Sequence, residues 1–111
     1  MQSEYFQYEN ESTWTDLGAG VQRKIMGFNA DLMMVKVKFE SGAIGVMHHH
    51  PHTQVSFIES GVFEATIGEQ VTTLKSGDGY FVPPNVLHGV VCRQAGVLVD
   101  SFNPVREDFL G

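Results

Sequence analysis

Turn-forming residues recur at short intervals along the whole chain, and this spacing constrains the fold more than any other feature. Short runs of strand length occupy residues 45–50, 55–58, 62–67, 71–74, 80–82, 86–92 and 97–102. Between them lie Ser60-Gly61, Gly68-Glu69, residues 76–79, Pro83-Pro84-Asn85 and Ala95-Gly96. Twelve glycines fall within 111 residues, and no long helical pattern is evident. The spacing predicts an all-β antiparallel sandwich or barrel. A jelly-roll barrel is the natural way to close so many strand edges.

The chain is long enough for one hydrophobic core and too short for two, so a single domain is expected. Residues 1–20 are polar and then glycine-rich, which indicates an N-terminal arm or a loose first strand, and residues 21–111 are expected to form the barrel. Val35, Val37 and Phe39 alternate with Lys36 and Lys38, which predicts a strand with one buried and one solvated face. Residues 106–110 are expected to add one helical turn.

Charge and cysteine content narrow the classes of partner and compartment. Lys and Arg number 7 against 13 Asp and Glu, a net charge of -6, and no basic run occurs, which argues against a nucleic-acid partner. The single cysteine, Cys92, excludes an internal disulfide and fits a reducing compartment. Residues 1–14 lack the features of a secretory signal, and no apolar run has membrane-spanning length. We therefore expect a cytoplasmic protein without a membrane partner.

Two spaced groups of residues indicate a metal site. The first has the spacing Gly-x5-His-x-His-x3-Gln-x6-Gly, from Gly42 through His48, His50 and Gln54 to Gly61, and the second runs from Gly77 through Pro83 and Asn85 to His88. Alternate residues of a strand point to the same side. His48, His50, the Gln54 carboxamide and the distant His88 can therefore surround one divalent ion. By the same alternation, His49 should face away.

The last apolar run and the residues after it form a second group with chemical potential. Asp100 and Phe102 share one strand face, and the preceding residues 97–99 are apolar, so the pKa of an inward-facing Asp100 is expected to rise towards neutrality. Such a carboxyl group can transfer protons as a general acid or base. The Arg106 guanidinium offers a fork of donors for a substrate carboxylate. The alternatives are a structural hydrogen bond for Asp100 and an ion pair from Arg106 to Glu107 or Asp108.

Both spaced groups match the pattern of the cupin superfamily, which the chain resembles. This resemblance implies the metal ligands His48, His50, Gln54 and His88. Glutamate is usual in cupins at the position of Gln54, and asparagine at the position of Cys92. A neutral amide leaves a divalent ion its full charge, which favours Lewis-acid over oxygen chemistry.

Three alternatives for the ligand set remain open. Gln54 can be a hydrogen-bonding residue beside a metal held by three histidines only. His52 shares the parity of His50 but follows Pro51, and it can be an outer hydrogen-bonding group, a substrate-facing group or an alternative ligand. Cys92 can contact the metal, although a lone cysteine is more often a small buried apolar residue, the interpretation we prefer.

The chain more specifically resembles the small pectin-degradation (KdgF-type) cupins that convert unsaturated uronates. The resemblance rests on the start at residues 20–25, the histidine-rich strand with Gln54, the turn Pro83-Pro84-Asn85 before His88, and the ending at residues 100–110. It implies a homodimer, a 4,5-unsaturated monouronate substrate from pectin or alginate, and ring opening with tautomerisation to a linear 5-keto-4-deoxyuronate. The catalytic residues it implies are Asp100, Phe102 and Arg106. Arg106 would hold the carboxylate, Phe102 would pack on the sugar ring, and His52 is a further substrate-binding candidate.

Other functions compete with this hypothesis. A metal-dependent cupin dioxygenase would consume oxygen, a non-catalytic sugar- or effector-binding cupin would turn nothing over, and another sugar or keto-acid isomerase would use a different substrate. The metal is equally open, because histidine and amide ligands suit nickel, zinc, manganese, iron or cobalt.

Overall fold

Eight β-strands and one short 3-10 helix make up the fold, with no α-helix, in a computed structural model that describes residues 1–111. The strands are β1 (Thr15–Gly18), β2 (Val21–Phe28), β3 (Met33–Phe39), β4 (Ile44–His48), β5 (Thr53–Ile67), β6 (Gln70–Lys75), β7 (Gly79–Val82) and β8 (His88–Asn103). They pair antiparallel in the order β1-β2-β3-β8-β5-β6, with β4 on β8 and β7 on β5. The prediction of an all-β antiparallel fold is confirmed.

Two long strands, β5 and β8, lie at the centre of this arrangement. The sequence pattern predicted two separate strands in place of each, because Ser60-Gly61 and Ala95-Gly96 had the composition of turns. That prediction was wrong, since both strands continue through these residues and their pairing only shifts register around Ser60. The two backbones approach closely here: a Cβ on Gly61, whose φ is +86°, would lie 2.6 Å from the Gln94 carbonyl oxygen, and one on Gly96 would overlap the Ser60 carbonyl oxygen. Glycine at these positions therefore bends a continuous strand pair.

Strand β3 has the predicted alternation. Val35 and Phe39 are buried and Val37 is half-buried, whereas Lys38 is exposed. The Nζ of Lys36 reaches the Glu59 carboxylate at 2.8 Å. Strand β3 pairs with β8, with Val35 opposite Asp100, so the buried side of β3 faces the same interior as the end of β8.

Two groups of buried apolar residues form the core. The larger contains Phe39, Ala43, Ile58, Phe63, Ala65, Val90, Cys92 and Leu98, and the smaller contains Met33, Val35, Phe102 and Val105. Cys92 is fully buried in the larger group, in agreement with its interpretation as an apolar core residue. Phe102 belongs to the smaller group, which places the core next to the candidate site.

The two chain ends lie against the sheet. Residues 1–14 are outside the strands, and the buried Lys24 donates from Nζ to the Glu9 carbonyl oxygen at 3.1 Å. After β8, the 3-10 helix Glu107–Phe109 supplies the short helical turn expected at residues 106–110. No helix in the protein has both the length and the apolar character needed to cross a membrane.

Candidate functional site

Three histidines converge, of which His50 and His88 are buried and His48 is exposed. Ring nitrogens of His48, His50 and His88 all lie within 4.8 Å of one another. His48 ends β4 and pairs in register with His88, which begins β8, while His50 lies two residues past the end of β4. The alternate spacing of His48 and His50 thus brings two imidazoles together with the distant third, although only His48 is within the strand.

Backbone carbonyls orient all three rings. The Nδ1 atoms of His48 and His88 each lie 2.8 Å from the carbonyl oxygen two residues earlier, and Nδ1 of His50 lies 3.2 Å from the His52 carbonyl oxygen. A carbonyl oxygen only accepts, so each Nδ1 carries the ring proton and each Nε2 keeps its lone pair. Burial lowers the pKa of His50 and lowers that of His88 to about 4. Neutral imidazoles are the form that binds metal.

The Gln54 side chain completes this donor set. Its Oε1 lies 2.9 Å from Nε2 of His50 and 3.1 Å from Nε2 of His88, and its Nε2 donates to the Ser56 hydroxyl at 2.9 Å. With the amide in the orientation that donates to Ser56, lone pairs on the Gln54 oxygen and on two imidazoles face one another. A cation among them satisfies all three. The three histidines are therefore positioned to bind a metal ion, and the donor chemistry fits one.

The other histidines lie outside this cluster. His49 is exposed, as the strand alternation predicted. The Nε2 of His52 lies 3.2 Å from the Val105 carbonyl oxygen, and its buried Nδ1 has no hydrogen-bond partner. The His52 ring contacts the rings of His50 and Phe102, but it does not line the cavity described below. His52 therefore lies behind the cluster and supports it.

Asp100 is the buried carboxyl group of the site. It lies opposite Ser56 in the pairing of β5 with β8, and the Ser56 hydroxyl donates to its Oδ1 at 2.6 Å. Burial raises the pKa of Asp100 to about 6, and the Ser56 hydrogen bond and the Arg106 charge oppose this rise. Gln54, Ser56 and Asp100 thus form one hydrogen-bonded chain that leads from the histidine cluster to a carboxyl group able to titrate near neutrality.

One cavity of about 220 Å³ joins these groups. Its polar lining includes Arg23, His48, Gln54, Tyr80, His88, Asp100 and Arg106, and its apolar lining includes Leu17, Val37, Leu98, Phe102 and Phe109. This volume suits a small molecule. Phe102 is almost fully buried, and its ring packs edge-on against the rings of His50 and Phe109.

Arg106 lies at the cavity with its guanidinium already paired. Its Nε and Nη2 donate to the two carboxylate oxygens of Asp108 at 3.1 and 2.9 Å. The ion pair to Asp108 that the sequence left open is therefore present. The Arg106 guanidinium also stacks 4.2 Å from the centre of the Phe109 ring and 5.1 Å from that of Phe102.

A model of the cupin domain matches residues 35–100. The chain belongs to the cupin family. A curated relative, the pectin degradation protein KdgF of Dickeya dadantii (strain 3937), is 45% identical over 104 residues, which cover 92% of this chain and 94% of the relative. The structure of KdgF from a Halomonas species superimposes with a TM-score of 0.92 at 35% identity, covering 96% of this chain and 99% of that chain. Within the cupins, the chain is thus of the KdgF type.

A second structural relative has a different description. An RmlC-like cupin from Shewanella frigidimarina NCIMB 400 superimposes with a TM-score of 0.96 at 44% identity and covers 97% of both chains. The jelly-roll barrel of the cupins is therefore the fold of this chain, as predicted.

Two site residues of this cupin escaped the interpretation of its sequence. Ser56 lies two residues after Gln54, so strand alternation from Gln54 would have placed it on the interior side. Arg23 enters the cavity from β2, about eighty positions before Arg106 in the chain. No local pattern marks Arg23, because what distinguishes it is its proximity to the C-terminal segment.

Proposed function

We propose that this cupin converts 4,5-unsaturated monouronates, released from pectin or alginate, into the linear 5-keto-4-deoxyuronate by metal-dependent ring opening and tautomerisation. The observation that carries the proposal is the buried Asp100 carboxyl group, which lines the same small cavity as His48 and His88 of the three-histidine cluster. The similarity to the pectin degradation protein KdgF of Dickeya dadantii supports it.

His48, His50, Gln54 and His88 are the proposed ligands of one divalent ion. When bound, that ion would act as a Lewis acid that stabilises negative charge on a substrate oxygen. Three neutral imidazoles and a neutral amide leave its charge undiminished. Nickel, zinc, manganese, iron and cobalt all suit this donor set, and elemental analysis of the purified protein would identify the native ion.

Asp100 is the proposed proton-transfer group. Ionised Asp100 accepts the proton of the C1 hydroxyl as the bond between C1 and the ring oxygen breaks, which leaves an aldehyde at C1 and an enolate at C5. Protonated Asp100 then delivers the proton to C4, and the enolate becomes a ketone. The step moves one proton from oxygen to carbon and involves no oxidation. A pKa near neutrality suits a group that must both accept and release that proton.

The remaining proposed roles concern substrate placement. Arg106 contributes positive charge and its free Nη1 to the substrate carboxylate, and Phe102 forms an apolar wall that excludes water near the sugar ring. His52 supports the substrate side of the site from behind Phe102. In a protein of net charge -6, an arginine at the cavity supplies the local attraction that an anion needs.

A homodimer is part of the proposal, and the outer sheet face supports it. Met34, Ser101, Val55 and Phe81 lie side by side across four strands, and Val55 and Phe81 are 54% and 56% exposed. Exposed apolar rows of this kind are typical of interfaces. Light scattering should show a dimer, which Phe81→Lys should convert to a monomer. A cytoplasmic location also stays a prediction.

The decisive experiment adds the purified protein to a freshly generated unsaturated monouronate and follows the loss of enol-ether ultraviolet absorbance. Conversion should exceed the spontaneous rate, stop with a chelator and return with a divalent metal. Oxygen uptake during turnover would instead support a dioxygenase. Binding without conversion would support a sugar-binding module, and a rate equal to the spontaneous one would rule out the proposed reaction.

A further inference from the structure

Arg23 places a second guanidinium in the cavity, and the proposed reaction gives this residue no role. It lies on β2, opposite Thr15 of β1 and Val37 of β3. Its Cζ is 3.8 Å from the centre of the Phe109 ring, so the side chain is stacked and held in place. Phe109 thus contacts guanidinium groups from both ends of the chain, since Arg106 also stacks on its ring.

The two guanidiniums differ in how their donors are used. Arg106 has two donors bonded to Asp108, and this pair is close to electrically neutral. The Arg23 side chain makes no hydrogen bond and no ion pair in the structure, although it is only partly exposed. Its five N–H donors are free to bind a ligand.

The surroundings of Arg23 favour an anion. Burial lowers the pKa of Arg23, the Asp108 charge opposes this effect, and the Arg106 charge adds to it. An arginine nevertheless stays protonated in this setting. A half-buried charge without a partner is unfavourable, and an incoming carboxylate relieves that cost while forming charge-assisted hydrogen bonds.

We propose that Arg23 binds the carboxylate of the anionic sugar together with Arg106, both guanidiniums being stacked on the Phe109 ring. The inference rests on the proposed function for the identity of the sugar. It adds a binding residue from β2 and makes the site selective for uronates over neutral sugars, because a neutral sugar leaves the Arg23 donors unpaired.

The test compares three variants. Arg23→Met keeps an apolar stem to pack on Phe109 and removes the charge, and Arg23→Lys keeps the charge without the planar fork. Arg93→Met is the matched control, because Arg93 is exposed, pairs with Glu64 and lies outside the cavity. Each is assayed for KM and kcat with the unsaturated monouronate, for calorimetric binding of saturated galacturonate, and for metal content and Tm.

Loss of a charge-assisted carboxylate contact should raise KM and the galacturonate Kd of Arg23→Met at least about tenfold, with kcat changed much less. Arg23→Lys should show a smaller rise, and Arg93→Met should match the wild type. Unchanged KM and Kd in a folded Arg23→Met variant would overturn the inference, because a purely structural residue would lower only Tm. Arg23→Gln answers the same question should the Met variant not fold.

The galacturonate arm separates this inference from the proposed reaction. If the wild type binds galacturonate through Arg23 but does not convert the unsaturated monouronate, the reaction is wrong and the carboxylate site stands. If conversion occurs with no dependence on Arg23, the reaction stands and the carboxylate site is wrong. Absence of galacturonate binding to the wild type would also overturn the carboxylate site.

Discussion

The two walls of the cavity are held in place by different forces. The histidine wall consists of His48, Gln54 and His88, with His50 packed behind them against Gln54. It is oriented by ring nitrogens bonded to backbone carbonyls and by the amide hydrogen bond to Ser56. The arginine wall, which consists of Arg23, Arg106 and Phe109, is held by stacking and by one ion pair beside a 3-10 turn. The histidine wall is thus preorganised by strands, as a metal site requires. The arginine wall instead depends on contacts between side chains, and it presents positive charge to a carboxylate.

The largest effect should come from removing a histidine. His88→Ala or His48→Ala deletes one of three imidazoles, so both metal content and conversion should fall to background. Elemental analysis and the ultraviolet assay measure the two quantities. His49→Ala is the matched control, because His49 is exposed outside the cluster and should change neither. Full metal content in His88→Ala would mean that the histidine wall is not the metal site.

The second-largest effect on conversion should come from replacing Asp100. Asp100→Asn keeps the shape and the Ser56 hydrogen bond but cannot accept a proton, so kcat should fall by about 10² to 10⁴ with metal content unchanged. Because burial raises the pKa of Asp100 to about 6, wild-type kcat should rise as the pH passes upward through about 6 and the carboxylate forms. Asp100→Asn should lack this limb. Turnover retained in Asp100→Asn or Asp100→Ala would exclude Asp100 from the mechanism.

The same substitution should change stability with pH. The Asp100 pKa rises from 3.8 to about 6 on folding, so its ionisation destabilises the folded state progressively as the pH rises from about 4 to about 6. Asp100→Asn should therefore match the wild type near pH 4 and exceed its free energy of unfolding by about 3 kcal/mol at pH 7. Urea unfolding with chelator present measures this difference.

Subtracting the free energy of unfolding of the wild type from that of Asp100→Asn cancels the contributions of groups that titrate alike in both proteins. The pKa values of His50 and His88 are lowered on folding, which changes stability in the opposite direction in both proteins. Burial raises the pKa of Tyr80, which keeps this neighbouring group neutral across the range. Glu69→Gln, at an exposed carboxyl outside the cavity, is the control for the substitution itself. A pH-independent difference for Asp100→Asn would contradict the raised pKa.

The smallest effect should come from Arg106, within the arginine wall. Because Asp108 already uses two of its donors, Arg106→Met should raise KM by only about tenfold or less, and by less than Arg23→Met does. Asp108→Asn, which frees the fork, should change stability by less than about 1 kcal/mol, since the Asp108 side chain is 61% exposed. A larger KM effect for Arg106→Met than for Arg23→Met would reverse the proposed ranking of the two arginines.

Local patterns predicted much of the fold and half of the site. The alternation of Val35, Val37 and Phe39 located β3, and the spacing of His48, His50 and His88 located the cluster, because both depend on the two-residue period of a strand. The predicted turns at Ser60-Gly61 and Ala95-Gly96 were wrong for a physical reason. Glycine serves both tight turns and close backbone approach, and composition does not distinguish the two.

By itself, the sequence determined the strand-rich fold, the alternation of His48 with His50 and the apolar context of Asp100, since each depends on residues close together in the chain. His88 was assigned to the cluster from the second spaced group of residues. Only the tertiary structure decided that Ser56 donates to Asp100, that Arg106 pairs with Asp108, and that Arg23 reaches the same cavity with its donors free. These are contacts between strands or choices among competing partners. They depend on how the two chain ends fold over the barrel, which no local spacing specifies.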